Sequence, residues 1–371
     1  MTIEVERDAL LSALKAVISA VEARNTIPVL SNVLLRSDGD RLTIHATDLD
    51  LQISADLAAS GTIDTTVPAA KLVAVVNSLA DGPIKIEDNA GNVVLRQGKS
   101  RRTLPTLPSD DFPLMAKADW ANSFTVPANL LHRLLERCSV AMSNEETRYY
   151  LNGVFLHVVD EALRGAATDG HRLIRAEIPL PDGAAGMSDI IVPKKAVHWL
   201  RSALQKREGE VEVTVDASKI GVTVGNRRLL SKLVDGTFPD YTRVIPSGDL
   251  AVRLNVFSEV LGAAAGCVAA VIDAEGDKIR TKCVRFELKA DGCHQALGRD
   301  QTGAEVVEGF LGDLVGSDLT FGMNAAYLRE VLGQFTSGST VHFEIDASNA
   351  PARITSDKDA DMIAVVMPMR V

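Results

Sequence analysis

The chain repeats itself with a period of about one third of its 371 residues, and this constrains the fold more than any single motif. After Val5-Glu6-Arg7-Asp8, apolar residues fall at Leu10, Leu11, Leu14, Val17, Ile18 and Val21, the spacing of an amphipathic helix with Asp8 as its cap. After Val126-Pro127, Leu130, Leu131, Leu134, Leu135 and Cys138 line one face in the same way. A weaker third copy begins near Leu254 and predicts a helix over 256–270. Other landmarks keep step. Thr47-Asp48 returns as Thr168-Asp169, Phe112-Pro113 as Phe238-Pro239, and Val67-Pro68 as Val192-Pro193 and then Met323-Asn324. Each of the last three opens a second helix, marked by Leu72, Val75, Val76 and Leu79, by Val197, Leu200 and Leu204, and by Leu328, Val331 and Leu332.

Every second helix is followed by an alternating hairpin: Ile84–Glu87 with Val93–Arg96, Val211–Val215 with Ile220–Val224, and Val341–Ile345 with Arg353–Thr355. Asp/Asn/Gly/Ser turns separate the strands. A helix with one apolar stripe must bury it on something, and a continuous antiparallel sheet is the partner this pattern supplies. The expected fold is therefore α+β: three repeated units, 1–122, 123–247 and 248–371, each with two helices packed on antiparallel sheet.

Composition narrows the function. Hydrophobic residues make up 46% and charged residues 24%, which excludes a disordered chain. The apolar runs are too short for a membrane helix, and acids occupy the start of the chain where a signal peptide needs a basic lead, so a cytoplasmic protein with no membrane partner is expected. A formal net charge of −10 argues against a surface that grips nucleic acid all over, but leaves room for one basic face. Cys138, Cys267, Cys283 and Cys293 form no CxxC pair and no His/Cys cluster at metal spacing, so they read as reduced thiols and no metal site is expected.

Catalytic motifs fare poorly. Gly98-Lys99-Ser100 has Val93 where a phosphate loop needs its first glycine, and it lies at a hairpin end rather than before a helix. Asp169 and His171 could form an acid–base pair, yet Asp-Gly between strands is ordinary turn chemistry. No catalytic residue and no cofactor are expected. Charge is distributed by element: 193–207 holds five Lys/Arg residues and no acid, while the hairpins and turns hold Asp38, Asp40, Asp48, Asp50, Glu87 and Asp88. Basic helices and acidic sheet edges would leave one face suited to a phosphate backbone.

Arg148-Tyr149-Tyr150-Leu151-Asn152-Gly153, Ala167–Leu173, Ser231–Tyr241 and the terminal Val366-Met367-Pro368-Met369-Arg370 together resemble the bacterial sliding-clamp family, the beta subunits of the replicative DNA polymerase. That resemblance spans the whole chain and implies a homodimeric ring, closed head to tail, with helices inside and sheet outside. It implies a processivity factor that encircles duplex DNA without reading sequence. The implied partners are DNA polymerase III alpha, clamp-loader subunits, other DNA polymerases and repair proteins. Arg24, Tyr149 and Tyr150 match family positions near the DNA, and Lys71, Arg133, Arg137, Lys194, Lys195 and Arg201 are the helix cations that would join them. The family's peptide groove maps onto Leu151, Thr168, Gly170, His171, Arg172, Leu173, Pro239, Arg243, Val244, Asn324, Tyr327, Val365, Met367, Pro368, Met369 and Arg370. The subunit interface maps near Leu104, with Val271 and Ile272 across from it. The third unit departs from the family pattern between 268 and 309, and its first helix carries no basic residue. A monomeric peptide-binding adaptor of clamp fold that does not close a ring is the alternative.

Overall fold

Chain order alternates short helices with strands throughout. The computed structural model describes residues 1–22, 26–89, 91–116, 118–272, 283–299 and 303–370. The first repeat runs β1 (Thr2–Glu6), α1 (Arg7–Val17), β2 (Asn32–Thr47), β3 (Leu51–Pro68), α2 (Ala69–Asn77), β4 (Pro83–Asn89), β5 (Asn92–Gln97) and β6 (Ser100–Pro105). The second runs β7 (Asn122–Pro127), α3 (Ala128–Ser139), β8 (Gly153–Val159), β9 (Ala162–Thr168), β10 (Arg172–Pro179), β11 (Ile190–Pro193), α4 (Lys194–Leu204), β12 (Glu210–Val215), β13 (Lys219–Val224) and β14 (Arg227–Lys232). The third runs β15 (Val252–Phe257), α5 (Ser258–Ile272), β16 (Cys283–Leu288), β17 (Cys293–Arg299), β18 (Glu305–Leu311), β19 (Asp313–Val315), β20 (Leu319–Asn324), α6 (Ala325–Leu332), β21 (Thr340–Ile345), β22 (Ala352–Thr355) and β23 (Met362–Val366). The three predicted hairpins are β4–β5, β12–β13 and β21–β22.

The sheets do not stop at the repeat boundaries. Contacts divide the chain into two compact units: residues 1–131, 181–188 and 195–233, and residues 132–180, 189–194 and 234–371. In the first, a ten-stranded antiparallel sheet runs β6-β5-β4-β1-β3-β14-β13-β12-β7, with β2 paired to β3. In the second, a nine-stranded sheet runs β11-β8-β9-β10-β23-β22-β21-β15-β19, beside a four-stranded sheet β18-β17-β16-β20. The central repeat is thus shared: its second half extends the sheet of the first repeat, and its first half extends that of the third.

Each helix buries most of the stripe its spacing predicts, with Val75 of α2 and Leu130 of α3 left half-buried. In α1, Leu10, Leu11, Ala13, Leu14 and Val17 are buried, and a fully buried leucine is worth roughly 2 kcal/mol of transfer free energy. Asp8 is not the cap. Glu6 holds that position without a side-chain bond: the Arg7 N–H is taken by the Gly82 carbonyl, and the helix starts two residues earlier than a cap at Asp8 would start it. Asp8 accepts from Arg7 instead, and the helix gives way to a 3-10 turn over Ile18–Ala20 before reaching Val21. Gly61 has φ +105°, and a Cβ there would lie 2.2 Å from the Thr2 carbonyl oxygen, so only glycine lets β1 pass beside β3. The third repeat is centred on stacked Phe286, Phe321 and Phe343, with centroids 5.5 and 5.3 Å apart.

Candidate partner-peptide groove and nucleic-acid face

The β9–β10 turn builds one wall of the candidate groove. The Asp169 carboxylate accepts the N–H groups of His171 (2.9 Å) and Arg172 (3.0 Å), and also Arg172 Nε (3.1 Å). Thr168 Oγ1 accepts the Gly170 N–H, and Gly170 takes φ +88°. Such a fully engaged carboxylate orders a turn; it is not positioned as a base. Gly98-Lys99-Ser100 likewise lies in the turn between β5 and β6.

Beneath the turn, Leu151, Leu173 and Val365 are each under 5% exposed and cluster with Ala166, Ile191, Phe238 and Tyr241. Tyr150, Val234 and Ile245 pack against that cluster. The chain end is pinned across it: the Met367 N–H donates to the His171 carbonyl and the Met369 N–H to the Gly322 carbonyl, both at 2.8 Å. Met367 is thereby held 39% exposed above a dry floor. On the far side, Asn324 caps α6 by accepting from the N–H groups of Ala326 and Tyr327, which fixes the Tyr327 ring 6.0 Å from His171. Arg172 lies 4.4 Å over the Tyr327 ring and donates to Glu330 at 2.5 Å.

The structure thus brings Leu151, Thr168, Gly170, His171, Arg172, Leu173, Asn324, Tyr327, Val365, Met367 and Met369 together. Pro239, Arg243 and Val244 form an exposed segment, with Arg243 bridged to Asp240, beside buried Phe238 and Tyr241. Arg370 keeps its side chain exposed while its carbonyl faces Cys283 Sγ, and Pro368 lies between the two pinned methionines. Sequence reasoning missed Glu330, which orients Arg172, and Phe238 and Tyr241, which support the floor. Glu330 stands three residues after Tyr327, one turn away on the same helix face, so the spacing carried the signal.

The predicted DNA-facing residues fare unequally. Arg24 lies outside the described residues. Lys71 is exposed on α2, and Tyr149 is 54% exposed with its ring edge-on to half-buried Tyr150 at 5.8 Å. Lys194 donates to Asn144, Lys195 bridges Glu22 (2.9 Å) and Asp48 (2.6 Å), and Arg201 is partly exposed on α4. Arg137 requires correction. Only 4% exposed, it ion-pairs with buried Asp359 and, at 2.8 Å, with half-buried Asp361, so it faces these acids rather than solvent. Arg133, half-exposed, is drawn to the same Asp361, whose carboxyl these pairings hold below its ordinary range despite partial burial.

The interface residues also need restating. Leu104 is 7% exposed, inside the core of its own sheet, and β6 ends that sheet with an unpaired edge. Val271 and Ile272 end α5 half-buried, and Ile272 packs over Gly298, where a Cβ would lie 2.6 Å from Ile272 Cδ1. The thiols are free, but Cys267 and Cys293 are exposed; only Cys138 is fully buried, and desolvation pushes its thiol up to about 12.

Repeated helix-on-sheet units, an apolar groove closed by the chain end and cation-bearing helices define a sliding-clamp fold. Comparison with known proteins agrees. The N-terminal, central and C-terminal domains of the DNA polymerase III beta subunit match residues 1–116, 125–240 and 268–370. The beta sliding clamp of Caulobacter vibrioides (strain NA1000 / CB15N) is 38% identical and that of Escherichia coli (strain K12) 31% identical, each over 100% of both chains. Among solved structures, a Caulobacter crescentus beta sliding clamp superposes with a TM-score of 0.94 at 37% identity. A Bartonella birtlesii clamp bound to griselimycin superposes at 0.95 and 33%, again over 100% of both chains. The chain belongs to the DNA polymerase III beta subunit family, the bacterial sliding clamps: three clamp domains forming a DNA polymerase processivity factor. Among the described residues, no helix is long and apolar enough to cross a membrane.

Proposed function

We propose that two copies of the chain close head to tail around duplex DNA and tether DNA polymerase III alpha, clamp-loader subunits, other polymerases and repair proteins through the groove of the second unit. The role is non-catalytic and cytoplasmic, with clamp domains at 1–122, 123–247 and 248–371. The observation that carries the groove reading is the buried layer of Leu151, Leu173 and Val365 beneath exposed Met367. An apolar floor with few free polar groups suits the leucine or phenylalanine anchors of a short peptide. Leu151, Thr168, Gly170, His171, Arg172, Leu173, Pro239, Arg243, Val244, Asn324, Tyr327, Val365 and Met367–Arg370 form or flank that surface.

Lys71, Tyr149, Tyr150, Lys194, Lys195, Arg201 and Arg24 are the groups proposed to meet DNA. A sliding ring needs weak, sequence-blind contacts, and partial neutralisation of Lys195 by Glu22 and Asp48 keeps its contact weak. For closure, β6 carries exposed Arg101 and Arg102 on its open edge, whereas β18 ends its sheet with Glu305 and Glu308 and with Val307 and Leu311 50% and 74% exposed. Opposite charge and unpaired backbone suit β6 of one copy to β18 of the other, with Leu104, Val271 and Ile272 behind that seam.

The decisive experiment loads the protein onto nicked circular DNA and then linearises it. Retention on the circle and release from the line are expected, and equal retention would contradict topological binding. Gel filtration should give the mass of two chains; a stable single-chain mass would leave the adaptor reading. Met367→Ala with Met369→Ala should weaken a polymerase-derived peptide about tenfold by calorimetry, and unchanged affinity would count against the groove.

A further inference from the structure

The groove floor of the second unit has a counterpart in the first, built from different side chains. In the second, Leu173 of β10 faces Val365 of β23, and Arg175 faces Ile363 on one side and Ala166 of β9 on the other. In the first, Gln52 of β3 faces Leu230 of β14, and Ser54 faces Arg228 on one side and His45 of β2 on the other. Gln52, Leu230 and His45 therefore occupy the places of Leu173, Val365 and Ala166. The segment after Phe112-Pro113, the repeat of Phe238-Pro239, completes the wall with Met115, Ala118 and Trp120.

The Lys232–Asp50 ion pair closes the turn end of this surface, but past Gln52 it opens into a cleft of about 380 Å³, a volume in the range of small-ligand sites. Its wall is held in place from several sides. The Met115 N–H donates to Gln52 Oε1 at 2.8 Å, Lys219 Nζ to the Ala116 carbonyl at 3.2 Å, and the Ala121 N–H to the Val215 carbonyl at 3.0 Å. Gly221 of β13 makes room for the indole, since a Cβ there would lie 3.1 Å from Trp120 Cζ2. The polar groups lining the cleft have capacity to spare. With its oxygen taken by Met115, Gln52 keeps its amide NH2 as a donor. Among the described residues, exposed Arg228 makes no ion pair and Ser54 no side-chain hydrogen bond, and no acid lines the cleft. Asp56, two positions along β3 from Ser54, is engaged by Thr43 at 2.8 Å and by Arg41. His45 Nδ1 is buried without a partner, a cost that a ligand atom reaching it would remove. An uncompensated guanidinium, a hydroxyl and an amide beside an indole are the donor set for a carboxylate joined to an apolar group.

We propose that this cleft is a ligand site distinct from the groove, taking a carboxylate joined to an aromatic or branched apolar group. Arg228 and Ser54 hold the carboxylate, and Trp120 and Leu230 hold the apolar group. The end of a peptide chain and a free arylalkanoic acid share that chemistry. The site lies within the first unit and rests neither on ring closure nor on the groove of the second. The test is calorimetric titration of the intact protein with N-acetyl-leucyl-phenylalanine, with its C-terminal amide and with 3-phenylpropanoate. The dipeptide acid should bind about tenfold more tightly than the amide, because only the acid engages the guanidinium. Arg228→Gln, at an exposed strand position, should remove that difference, while Lys99→Gln in the β5–β6 turn leaves it intact. Tryptophan fluorescence should change on binding, and Trp120→Phe should abolish that change while keeping most of the affinity, which separates Trp120 from Trp199. Tighter binding of the dipeptide acid than of phenylpropanoate identifies a chain end as the ligand; equal binding identifies a small acid. No saturable binding, equal binding of acid and amide, or binding indifferent to Arg228→Gln overturns the proposal.

Discussion

The Thr-Asp turn occurs in both units with the same hydrogen bonds and opposite surroundings. In the first, Asp48 accepts the N–H groups of Asp50 and Leu51, and Thr47 accepts that of Leu49. In the second, Asp169 and Thr168 do the same for His171, Arg172 and Gly170. The chain crossing each turn is anchored alike: the Lys232 N–H donates to the Asp50 carbonyl and the Met367 N–H to the His171 carbonyl, both at 2.8 Å. Where the first unit has a Lys232–Asp50 ion pair at 2.9 Å, the second has Met367 beside His171. Where the first has Gln52, bonded to the Met115 N–H, the second has buried Leu173. One scaffold thus yields a polar closed surface in one unit and an apolar open one in the other, and a few side chains make the difference.

The largest expected break is Arg137→Ala. Removing the guanidinium strands Asp359, 1% exposed, with only Thr336 among the described residues to donate to its side chain, and breaking a buried pair costs about 3–5 kcal/mol. Denaturant unfolding should show that loss, whereas Ala16→Ser at the corresponding place should change stability by less than about 0.5 kcal/mol.

Acid separates the units next. Burial, with a smaller push from Arg36, lowers His45 to about 4, and its Nδ1 is buried without a partner. Its folded value lies below the unfolded one near 6.5, so the unfolded chain binds the proton first, and stability falls as pH drops from about 6.5 to about 4. The full effect is about 3 kcal/mol and resides in the first unit. The corresponding residue of the second unit is Ala166, which does not titrate. There the lowered Asp361 carboxyl gives stability that is lost only at more acid pH, as it protonates. Hydrogen exchange at pH 5 should show the strands of the first unit weakening first, and His45→Phe should remove the difference.

Gly170→Leu follows. At φ +88° a Cβ costs about 1–2 kcal/mol, and it would lie 2.7 Å from Nη1 of Arg148, whose Nη2 donates to Glu145 and to the Asp169 carbonyl. Displacing Arg148 disturbs the turn that presents His171, so peptide affinity should fall along with stability.

These contrasts also mark what the chain disclosed on its own. The repeat, the hairpins and the turn residues were legible because they are local: alternation, helical spacing and Asp-Gly chemistry each act within a few residues. The fate of Arg137 was not, because its partners lie 222 and 224 positions away and nothing on α3 records them. The pairing of Lys195 is hidden for the same reason, with Asp48 lying 147 positions back. The sharing of the central repeat between two units also escaped, since the β3–β14 and β10–β23 pairings join strands far apart in sequence. In the groove, Leu151 and Leu173 were found, but they are floor rather than wall; what a partner would touch is set by Met367, His171 and Tyr327, placed by the pinned chain end and the Asn324 cap.

The smallest effect is the most diagnostic of the shared scaffold. Leu49 stands where the second unit has Gly170, and it is held at φ +80°, a conformation that costs a leucine about 1–2 kcal/mol. Its side chain is 38% exposed, so little burial offsets the strain. The turn is over-determined by Thr47 and Asp48, which is why the strain persists. Leu49→Gly should relieve it. Part of the gain is returned because glycine frees the unfolded chain, leaving a net stabilisation of up to about 1 kcal/mol. A raised denaturant midpoint with an unchanged slope would confirm that the two turns are one device. A lowered midpoint would mean that Leu49 makes a contact worth more than its strain, and that the first unit has moved further from the second than the matching backbone bonds imply.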